Sequence, residues 1–273
     1  MIRVTVVGGG EGAATLAALV KAAGAEVVDA EADVELWVAP IGALRALARE
    51  RAPGPGARIV LATRGLESGT GLRPSQIVLE ETAALRIGAL GGPALRTDAP
   101  CAAVVASPFQ EVTAVATGAL RSPRCRVYAS PDLVGVELAA ALVDVFAVAL
   151  GAAKGLGLGG AAEALLVARA AVEGGRLAGR IGGDARTFSG LAGVGELVAC
   201  AASPDHPGLR RGLALARGEP QPEVAELCAA LLSHAPSLPI VGAVRRVAQG
   251  EVRPDEALNL LMASAHAGEW DDA

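Results

Sequence analysis

The chain has 273 residues, enough for a full hydrophobic core in one large domain or two modest ones. Hydrophobic residues make up 52% and charged residues 19%, a composition that excludes a disordered chain. The net charge of -5 argues against a nucleic-acid partner, because a phosphate backbone is held by a basic surface. The cysteines Cys101, Cys125, Cys200 and Cys228 form no CxxC pair, so we expect buried thiols rather than a disulfide or zinc framework.

The first residues and the most apolar segment bear on location. Residues 2–7 already have the pattern of a strand, which leaves no room for a signal peptide. The most apolar run, residues 138–153, is interrupted by Asp144 and is too short to span a bilayer comfortably. We therefore expect a cytoplasmic protein without a membrane partner.

The first 130 residues alternate short β-branched runs with Ala- and Leu-rich stretches. The pattern predicts strands at residues 4–7, 35–39, 59–62, 102–106 and 126–129, and helices at residues 15–23 and 42–50. Such alternation is typical of a mainly parallel sheet with helices packed on it.

The pattern changes at residue 130. Ser130 suits a helix N-cap, Pro131 the first helical position, and Asp132 the positive end of the helix dipole. Beyond this point we predict only helices, at residues 132–153, 220–234 and 254–266, and the first is apolar nearly all round, as a central helix is. The predicted fold is α/β, with a sheet domain at residues 1–130 and an all-helical domain at residues 131–273.

A glycine-rich turn lies between the first strand and the first helix. Residues 8–13 match G-x-G-x-x-G/A: Gly8 makes the tight turn, Gly10 lets the backbone approach a pyrophosphate, and the small residues Gly12 and Ala13 allow close packing of helix on strand. The motif predicts a Rossmann-like domain with NAD or NADP as cofactor. The alternative is a βα turn that binds nothing, and Glu11 favours it by placing an anion near the phosphates.

The segment that would hold the adenosine is short. Residues 25–29 could form a second strand that places Asp29 on a ribose 2′-OH, but residues 33–40 already have the pattern of the next parallel strand and its loop. A return between parallel strands takes about a dozen residues, and only residues 30–32 are available. Either residues 25–29 are not a normal strand or the pairing is irregular, and we expect NAD(P) binding to be weak or absent.

Segments along nearly the whole chain resemble one family. They are, in family order, residues 8–17 (glycine loop), 32–40 ("AD…vP"), 63–67 ("KG(I/L)E"), 91–93 with Pro100 ("sGP…P"), 132–138 ("D..GvEl"), 155–159, 187–197 ("TF.GLaG.GDL") and 238–240. This order resembles the bacterial-type NAD(P)-dependent glycerol-3-phosphate dehydrogenases. The resemblance implies hydride transfer between a nicotinamide and C2 of glycerol 3-phosphate or dihydroxyacetone phosphate, and a helical C-terminal domain of the 6-phosphogluconate-dehydrogenase type.

The chain departs from the family where the resemblance implies chemistry. The family's Lys-Asn pair is Val143-Asp144, the lysine of its "KG" turn is Arg64, and the aspartate of "GDL" is Glu196. Arg64 can polarise a carbonyl or bind phosphate, but it cannot act as a base near pH 7. Asp144 or Glu196 is then left for the proton transfer.

The phosphate-binding "SRN" triplet of the family falls on residues 206–208, which read HPG. Arg210 and Arg211 lie close by and are our candidates for substrate binding, although a neighbouring arginine is by default a solvated charge. The "GDNA" asparagine is Ala161, and the arginine of the terminal "LM.R" is Ser264.

Asp144 admits two interpretations. It could form a catalytic pair with Glu137, seven residues earlier on the same helix face and about 10 Å away by helical rise. The alternative, which we favour, is a hydrogen-bonded residue at the domain interface. The histidines His206, His234 and His266 form no triad or metal spacing, and we expect them on the surface.

Two functions of different classes follow. The first is an NAD(P)-dependent oxidoreductase of the glycerol-3-phosphate dehydrogenase type, acting on a small-molecule substrate such as a hydroxy or keto phosphate or a related compound. The second is a catalytically inactive paralogue that keeps the fold as a binding or regulatory module. A homodimer is compatible with the sequence, which does not decide the oligomeric state.

Overall fold

Strands and helices alternate through the first part of the chain. The structure, a computed structural model, describes residues 1–92, 95 and 99–263. The elements up to residue 130 are β1 (Arg3–Gly8), α1 (Gly10–Ala22), β2 (Glu26–Val27), β3 (Val34–Val38), α2 (Ile41–Arg51), β4 (Arg58–Leu61), α3 (Pro74–Glu81), β5 (Arg86–Gly91), β6 (Cys101–Ala106), α4 (Gln110–Leu120) and β7 (Cys125–Ser130).

Helices alone follow among the described residues beyond Ser130. They are α5 (Leu133–Gly155), α6 (Gly159–Arg180), α7 (Ala185–Ser189), a π-helical turn (Leu191–Gly195), α8 (Glu196–Ala201), α9 (Pro207–Ala216), α10 (Pro222–His234), α11 (Pro239–Ala248) and α12 (Pro254–Ala263). The end that we predicted for the last helix, at residue 266, lies outside the described residues, as do His266, Ser264 and Pro93.

One seven-stranded sheet has the order β2-β1-β3-β4-β5-β6-β7. Every neighbouring pair is parallel except β5–β6, which is antiparallel. The predicted α/β class, a mainly parallel sheet followed by helices, is confirmed. Strand β5 and helices α3 and α4 were not predicted, nor were helices α6 to α9 and α11 in the helical part, and α1 begins five residues earlier than expected.

The short β2 explains how the chain connects two parallel strands without a crossover helix. Val27, the last residue of β2, pairs with Val4 near the start of β1, and Val34 of β3 pairs with the same Val4 on its other side. The chain therefore passes from β2 on one side of β1 to β3 on the other at the level of Val4, so no crossover segment has to run back along the sheet. Because β1 continues to Gly8, β2 ends roughly 13 Å short of the carboxyl edge of β1.

Helix α5 is the centre of the helical part, and sixteen of its residues are buried. Its N-cap is Asp132, whose Oδ1 accepts a hydrogen bond from the Gly135 N–H at 2.9 Å. Our assignment of Ser130 as the N-cap is wrong: Ser130 lies two residues before the N-cap, and its hydroxyl accepts the Asp132 N–H. Although α5 is long and apolar enough to cross a membrane, 78% of its most apolar window is buried inside the protein, which makes it a core helix.

Helix α9 packs on α5 through glycines. A Cβ on Gly212 would lie 2.6 Å from the Ala152 nitrogen and 2.7 Å from the Gly151 Cα, and a Cβ on Gly208 would lie 2.8 Å from the Ala147 Cβ. Only residues without a side chain allow the two backbones to approach this closely. The close packing fixes the first turn of α9 beside Asp144 on α5, since the Gly208 Cβ position is 3.1 Å from the Asp144 carbonyl oxygen.

Candidate active site

A cleft of about 510 Å³ lies between the carboxyl edge of the sheet and the helices. The start of α1 lines one side of it, and the first turn of α9 lines another. The residues that line it are Glu11, Gly12, Thr15, Leu16, Val38, Ala62, Arg64, Leu90, Gly91, Gly92, Leu95, Asp144, Glu196, His206, Pro207, Gly208 and Arg211. Concave sites at the carboxyl edge of a parallel sheet are where such folds bind ligands.

The glycine loop has the backbone that a pyrophosphate requires. Gly8 has a φ of +116°, and a Cβ there would overlap the carbonyl oxygen of Val38. Gly10, with a φ of +77°, has open space where its side chain would be. Among the residues that the structure describes, no side chain caps the N-terminus of α1, which leaves its first N–H groups to an anion, although Glu11 occupies the same first turn. Ala13 lies in that first turn and is half-buried.

Asp29, our candidate for a ribose hydroxyl, is two residues beyond β2 and is not among the residues that line the cleft. Asp29 lies outside the cleft because β2 ends early, at the level of Val4 in β1. Asp29 is therefore not part of this cleft in the structure.

Arg64 lies in the loop after β4 and joins three acceptors. Its Nε–H and one Nη2–H donate to the Asp144 carboxylate at 2.8–3.3 Å, the other Nη2–H donates to the Ala140 carbonyl oxygen at 3.0 Å, and Nη1 donates to Glu196 Oε1. These contacts occupy four of the five N–H groups of the guanidinium, which leaves one on Nη1. Burial alone would lower the pKa of Arg64, but the charges of Asp144 and Glu196 raise it above its ordinary value, so Arg64 is a permanent cation.

Glu196, at the start of α8, has a side chain that is only 5% exposed. Burial raises its pKa to about 7, although Arg64 opposes the shift and Asp144 adds to it. Its second oxygen, Oε2, is buried and forms no hydrogen bond of ordinary geometry among the described residues, although the Gly92 backbone N–H is near enough to oppose the rise in the pKa of Glu196. A carboxyl that lines the cleft and has a pKa of about 7 is suited to exchanging a proton with a ligand near neutral pH.

Glu137 does not pair with Asp144. Its Oε1 accepts the Ser75 N–H at 2.6 Å, and its Oε2 accepts the Ser75 hydroxyl and Arg73 Nη1, each at 2.7 Å. The carboxylate therefore caps the N-terminus of α3 and is not in the cleft. The pair that we weighed as a catalytic possibility is not formed, and Asp144 binds Arg64 instead.

His206, the N-cap of α9, has a different environment from the one expected. We expected a surface residue, but His206 is half-buried and lines the cleft. Its Nδ1 accepts the Gly208 N–H at 3.2 Å, so the proton of the neutral ring is on Nε2, which lies 3.2 Å from Cys200 Sγ. Burial lowers the pKa of His206, and burial together with Glu196 raises the pKa of the Cys200 thiol to about 12. Both groups are uncharged at neutral pH.

The two candidate substrate-binding arginines are placed differently. Arg211 lines the cleft, with its Nη2 3.5 Å from Glu223 Oε2. Arg210 is exposed and is not among the lining residues. Of the residues singled out from the sequence, the fold thus brings Gly12, Arg64, Asp144, Glu196 and Arg211 together around one cleft. No signal in the sequence separated Arg211 from Arg210.

The sequence is similar to those of glycerol-3-phosphate dehydrogenases. A family model described as the NAD-dependent glycerol-3-phosphate dehydrogenase C-terminus matches residues 132–259. A glycerol-3-phosphate dehydrogenase [NAD(P)+] of Sinorhizobium fredii is 36% identical over 250 residues, which cover 85% of this chain and 75% of that protein. The protein of the same name from Methylibium petroleiphilum is 36% identical over 258 residues, covering 87% and 77%.

The fold agrees with solved structures. The crystal structure of a glycerol-3-phosphate dehydrogenase from Coxiella burnetii superposes with a TM-score of 0.84 at 23% identity, covering 96% of this chain and 99% of that one. Similarity at that identity supports the fold, and the relatives above carry the assignment. The chain belongs to the NAD(P)-dependent glycerol-3-phosphate dehydrogenase family.

Proposed function

We propose that the chain is an oxidoreductase that moves a hydride between NAD(P) and a small hydroxy or keto compound. One observation carries the proposal: the start of α1, with its glycine loop, lines the same cleft as Arg64, Asp144 and Glu196. A dinucleotide held at that loop and a carbonyl compound held at Arg64 would therefore share a single enclosure. The kinship with enzymes named glycerol-3-phosphate dehydrogenase [NAD(P)+] supports the same reaction type.

The glycine loop fits the pyrophosphate of the cofactor. Gly8 and Gly10 supply the left-handed turn and the open approach, and the uncapped N-terminus of α1 supplies N–H donors. Asp29 is kept as the proposed ribose contact. When bound, the nicotinamide supplies or accepts the hydride.

The chain's own residues handle the oxygen of the substrate. The remaining Nη1 proton of Arg64 donates to the carbonyl oxygen, while Asp144 and the Ala140 carbonyl hold the guanidinium in place. Glu196, which lines the cleft, gives that oxygen its proton as the carbonyl is reduced, and it takes the proton back in the reverse direction. Asp144 is therefore a positioning residue, and Glu196 is the proposed acid and base.

The test replaces Glu196 by glutamine, which keeps the size and the bond to Arg64 but cannot titrate. We expect Glu196→Gln to lower kcat by about a hundred- to ten-thousand-fold, the usual effect of losing a positioned acid or base. NADH affinity, measured by nicotinamide fluorescence, should stay unchanged. As a matched control, Glu111→Gln removes an exposed carboxylate that pairs with Arg86 outside the cleft, and it should leave kcat unchanged.

Two outcomes would contradict the proposal. If Glu196→Gln turns over at the wild-type rate, Glu196 is not the acid. If a folded wild-type protein transfers no hydride to any hydroxy or keto compound, the inactive paralogue is the better description.

We further propose domain limits at residues 1–130 and 131–273, a cytoplasmic location and a homodimer. Light scattering of the purified protein checks the last of these.

A further inference from the structure

Cys101 and Cys125 lie next to each other across the last two strands of the sheet. Cys101 begins β6 and Cys125 begins β7, and the parallel register pairs the two residues directly. The Cys101 N–H donates to the Arg124 carbonyl oxygen at 2.8 Å, which fixes this register. Neighbouring strands are about 4.8 Å apart, and a disulfide spans Cα atoms that are about 4.4–6.8 Å apart. The backbone therefore holds the two cysteines at a distance that a disulfide can bridge.

Both thiols are on the same face of the sheet. Cys125 is 1% exposed within an apolar cluster of the sheet domain, and Cys101 is partly buried against the same cluster. Burial raises the pKa of the Cys125 thiol to about 12, and a hydrogen bond to the Cys101 thiol adds to the rise. The two side chains therefore face each other, and Cys101 is the one that solvent reaches. Both thiols are free in the structure.

The other two cysteines are placed differently. Cys200 and Cys228 belong to the apolar cluster of the helical domain, where both are buried. Cys200 Sγ lies 3.2 Å from His206 Nε2. Because burial shields a thiol from a dissolved reagent, these two cysteines serve as internal references for the reactivity of Cys101 and Cys125.

The start of β6 lies against the wall of the cleft. Gly92 lines the cleft, and a Cβ on Gly92 would lie 3.4 Å from the Ala103 Cα in β6. The Gly92 backbone N–H also opposes the rise in the pKa of Glu196. Leu95 lines the cleft as well, and it packs on the same apolar cluster as Cys101. A displacement of the first residues of β6 therefore reaches residues that line the cleft.

We infer that Cys101 and Cys125 form a redox-sensitive site, which a small disulfide compound converts to an intramolecular disulfide. The Cys101 thiolate attacks one sulfur of the compound and breaks its S–S bond, and the first half leaves as a thiol with the proton that Cys101 gave up. The Cys125 sulfur then attacks the mixed disulfide at Cys101, and the second half leaves as a thiol with the Cys125 proton. The two cysteines lose two electrons in total, and the compound gains them. An excess of a small thiol reverses both steps.

The new bond should disturb the cleft. A disulfide brings the two Cβ atoms to about 3.8 Å, which is closer than the spacing of the strands by about 1 Å. The start of β6 or of β7 must shift to close that gap. Because a misplacement of about 1 Å can lower turnover strongly, we expect kcat/KM of the oxidised protein to be at least about threefold lower, an expectation that rests on the proposed function.

The first experiment treats the folded protein with oxidised glutathione, unfolds it in iodoacetamide and counts the blocked thiols by mass spectrometry. The chain has four cysteines, and we expect two to be blocked after oxidation and all four after treatment with dithiothreitol. Peptide mapping should find Cys101 joined to Cys125. Glutathione retained on Cys101, or a bond that joins two copies of the chain, would overturn the inference.

Two variants distinguish the pair from an ordinary exposed thiol. In Cys101→Ser, Cys125 is still buried, so we expect iodoacetamide to block all three remaining thiols after the same treatment. The matched control Cys228→Ala removes a thiol outside the pair and should still form the bond between Cys101 and Cys125. If Cys125 in Cys101→Ser takes up glutathione as fast as the wild type forms its bond, Cys101 is not the residue that reacts first, and the inference fails.

Activity measured in parallel separates this inference from the proposed function. Reduction of dihydroxyacetone phosphate with NADH should slow on oxidation in the wild type and in Cys228→Ala and recover with dithiothreitol, whereas oxidised glutathione should not change the rate of Cys101→Ser. If the protein reduces no carbonyl compound in either state, the proposed function fails, and peptide mapping still decides whether the disulfide forms. A disulfide that forms without changing kcat/KM would refute its effect on the cleft.

Discussion

The glycine contact between α5 and α9 makes a sharp prediction for Gly212→Ala. The added Cβ would lie 2.6 Å from the Ala152 nitrogen and 2.7 Å from the Gly151 Cα, and it would overlap the Val148 carbonyl oxygen. Non-bonded heavy atoms pack best at about 3.5–4.0 Å, so α9 must move away by roughly 1 Å. The atoms that it meets belong to the backbone of a central helix and cannot yield.

The magnitude follows from two opposing effects. Alanine in place of glycine inside a helix gains up to about 1 kcal/mol, whereas forcing extra volume into a packed interior costs typically about 1–3 kcal/mol. Backbone contact places Gly212→Ala at the upper end of that cost, so we expect its free energy of unfolding to fall by about 2 kcal/mol. Gly242→Ala, in α11, meets no atom within 4 Å and should show only the gain.

Urea unfolding of the two variants beside the wild type measures both values, provided that the slopes of the transitions stay equal. The activity of Gly212→Ala should fall as well, because α9 brings Pro207, Gly208 and Arg211 to the cleft. If Gly212→Ala is as stable as Gly242→Ala, the helices are not packed as closely as described, and the argument for a fixed first turn of α9 fails with it.

Three other predictions concern the cleft. Glu11→Gln should tighten NADH binding about threefold to tenfold, because it removes an anion from the phosphate-binding turn, and it should lower the free energy of unfolding by about 0.3–1 kcal/mol through the helix dipole. Glu26→Gln, outside the cleft, is the control in the same fluorescence titration. Equal NADH affinities of Glu11→Gln and the wild type would show that Glu11 lies away from the phosphates. Because burial raises the pKa of Glu196 to about 7, and the protonated carboxyl is the proposed acid, the rate of carbonyl reduction should be constant well below pH 7 and fall as the pH rises through 7. The pH–rate profile of Glu196→Gln should be flat over that range, and a wild-type fall that persists in the variant would assign it to another group. Asp144→Ala should lower kcat about a hundredfold by releasing Arg64, with NADH affinity unchanged. A fully active variant would show that Asp144 does not position Arg64 for the reaction.

The sequence predicted those parts of the fold whose signal is local. Buried strands and the long apolar α5 appear as runs of hydrophobic residues, and the turn after β1 is marked by its glycines. Strand β5 was missed because its sequence, RIGALG, has small residues in place of a β-branched run. The path between β2 and β3 could not be predicted, because it depends on the level at which β2 pairs with β1, a tertiary property.

The sequence indicated which residues belong to the site, but not which of them contact one another. Arg64, Asp144 and Glu196 were singled out because the family resemblance places reacting groups at those positions. That they bind one another depends on how a loop of the sheet meets two helices, which residue spacing does not contain. Glu137 shows the same limit: helical periodicity places it on the face of Asp144, yet its carboxylate is taken by α3. The environment of His206 was not predicted, because its contact with Cys200 joins the end of α8 to the start of α9, and residue spacing does not show such a contact.

Arg64 has a further consequence for how the chain can change over evolutionary time. The family resemblance places a lysine at this position, and the replacement first reads as one cation exchanged for another. A lysine ammonium has three donors at a single point, however, whereas the planar guanidinium reaches Asp144, Glu196 and the Ala140 carbonyl at once. A return to lysine would leave at least one of these acceptors without its partner, and the two carboxylates would then repel each other. The replacement is therefore hard to reverse by a single substitution, and Arg64→Lys should lower the free energy of unfolding more than the similarity of the two residues suggests.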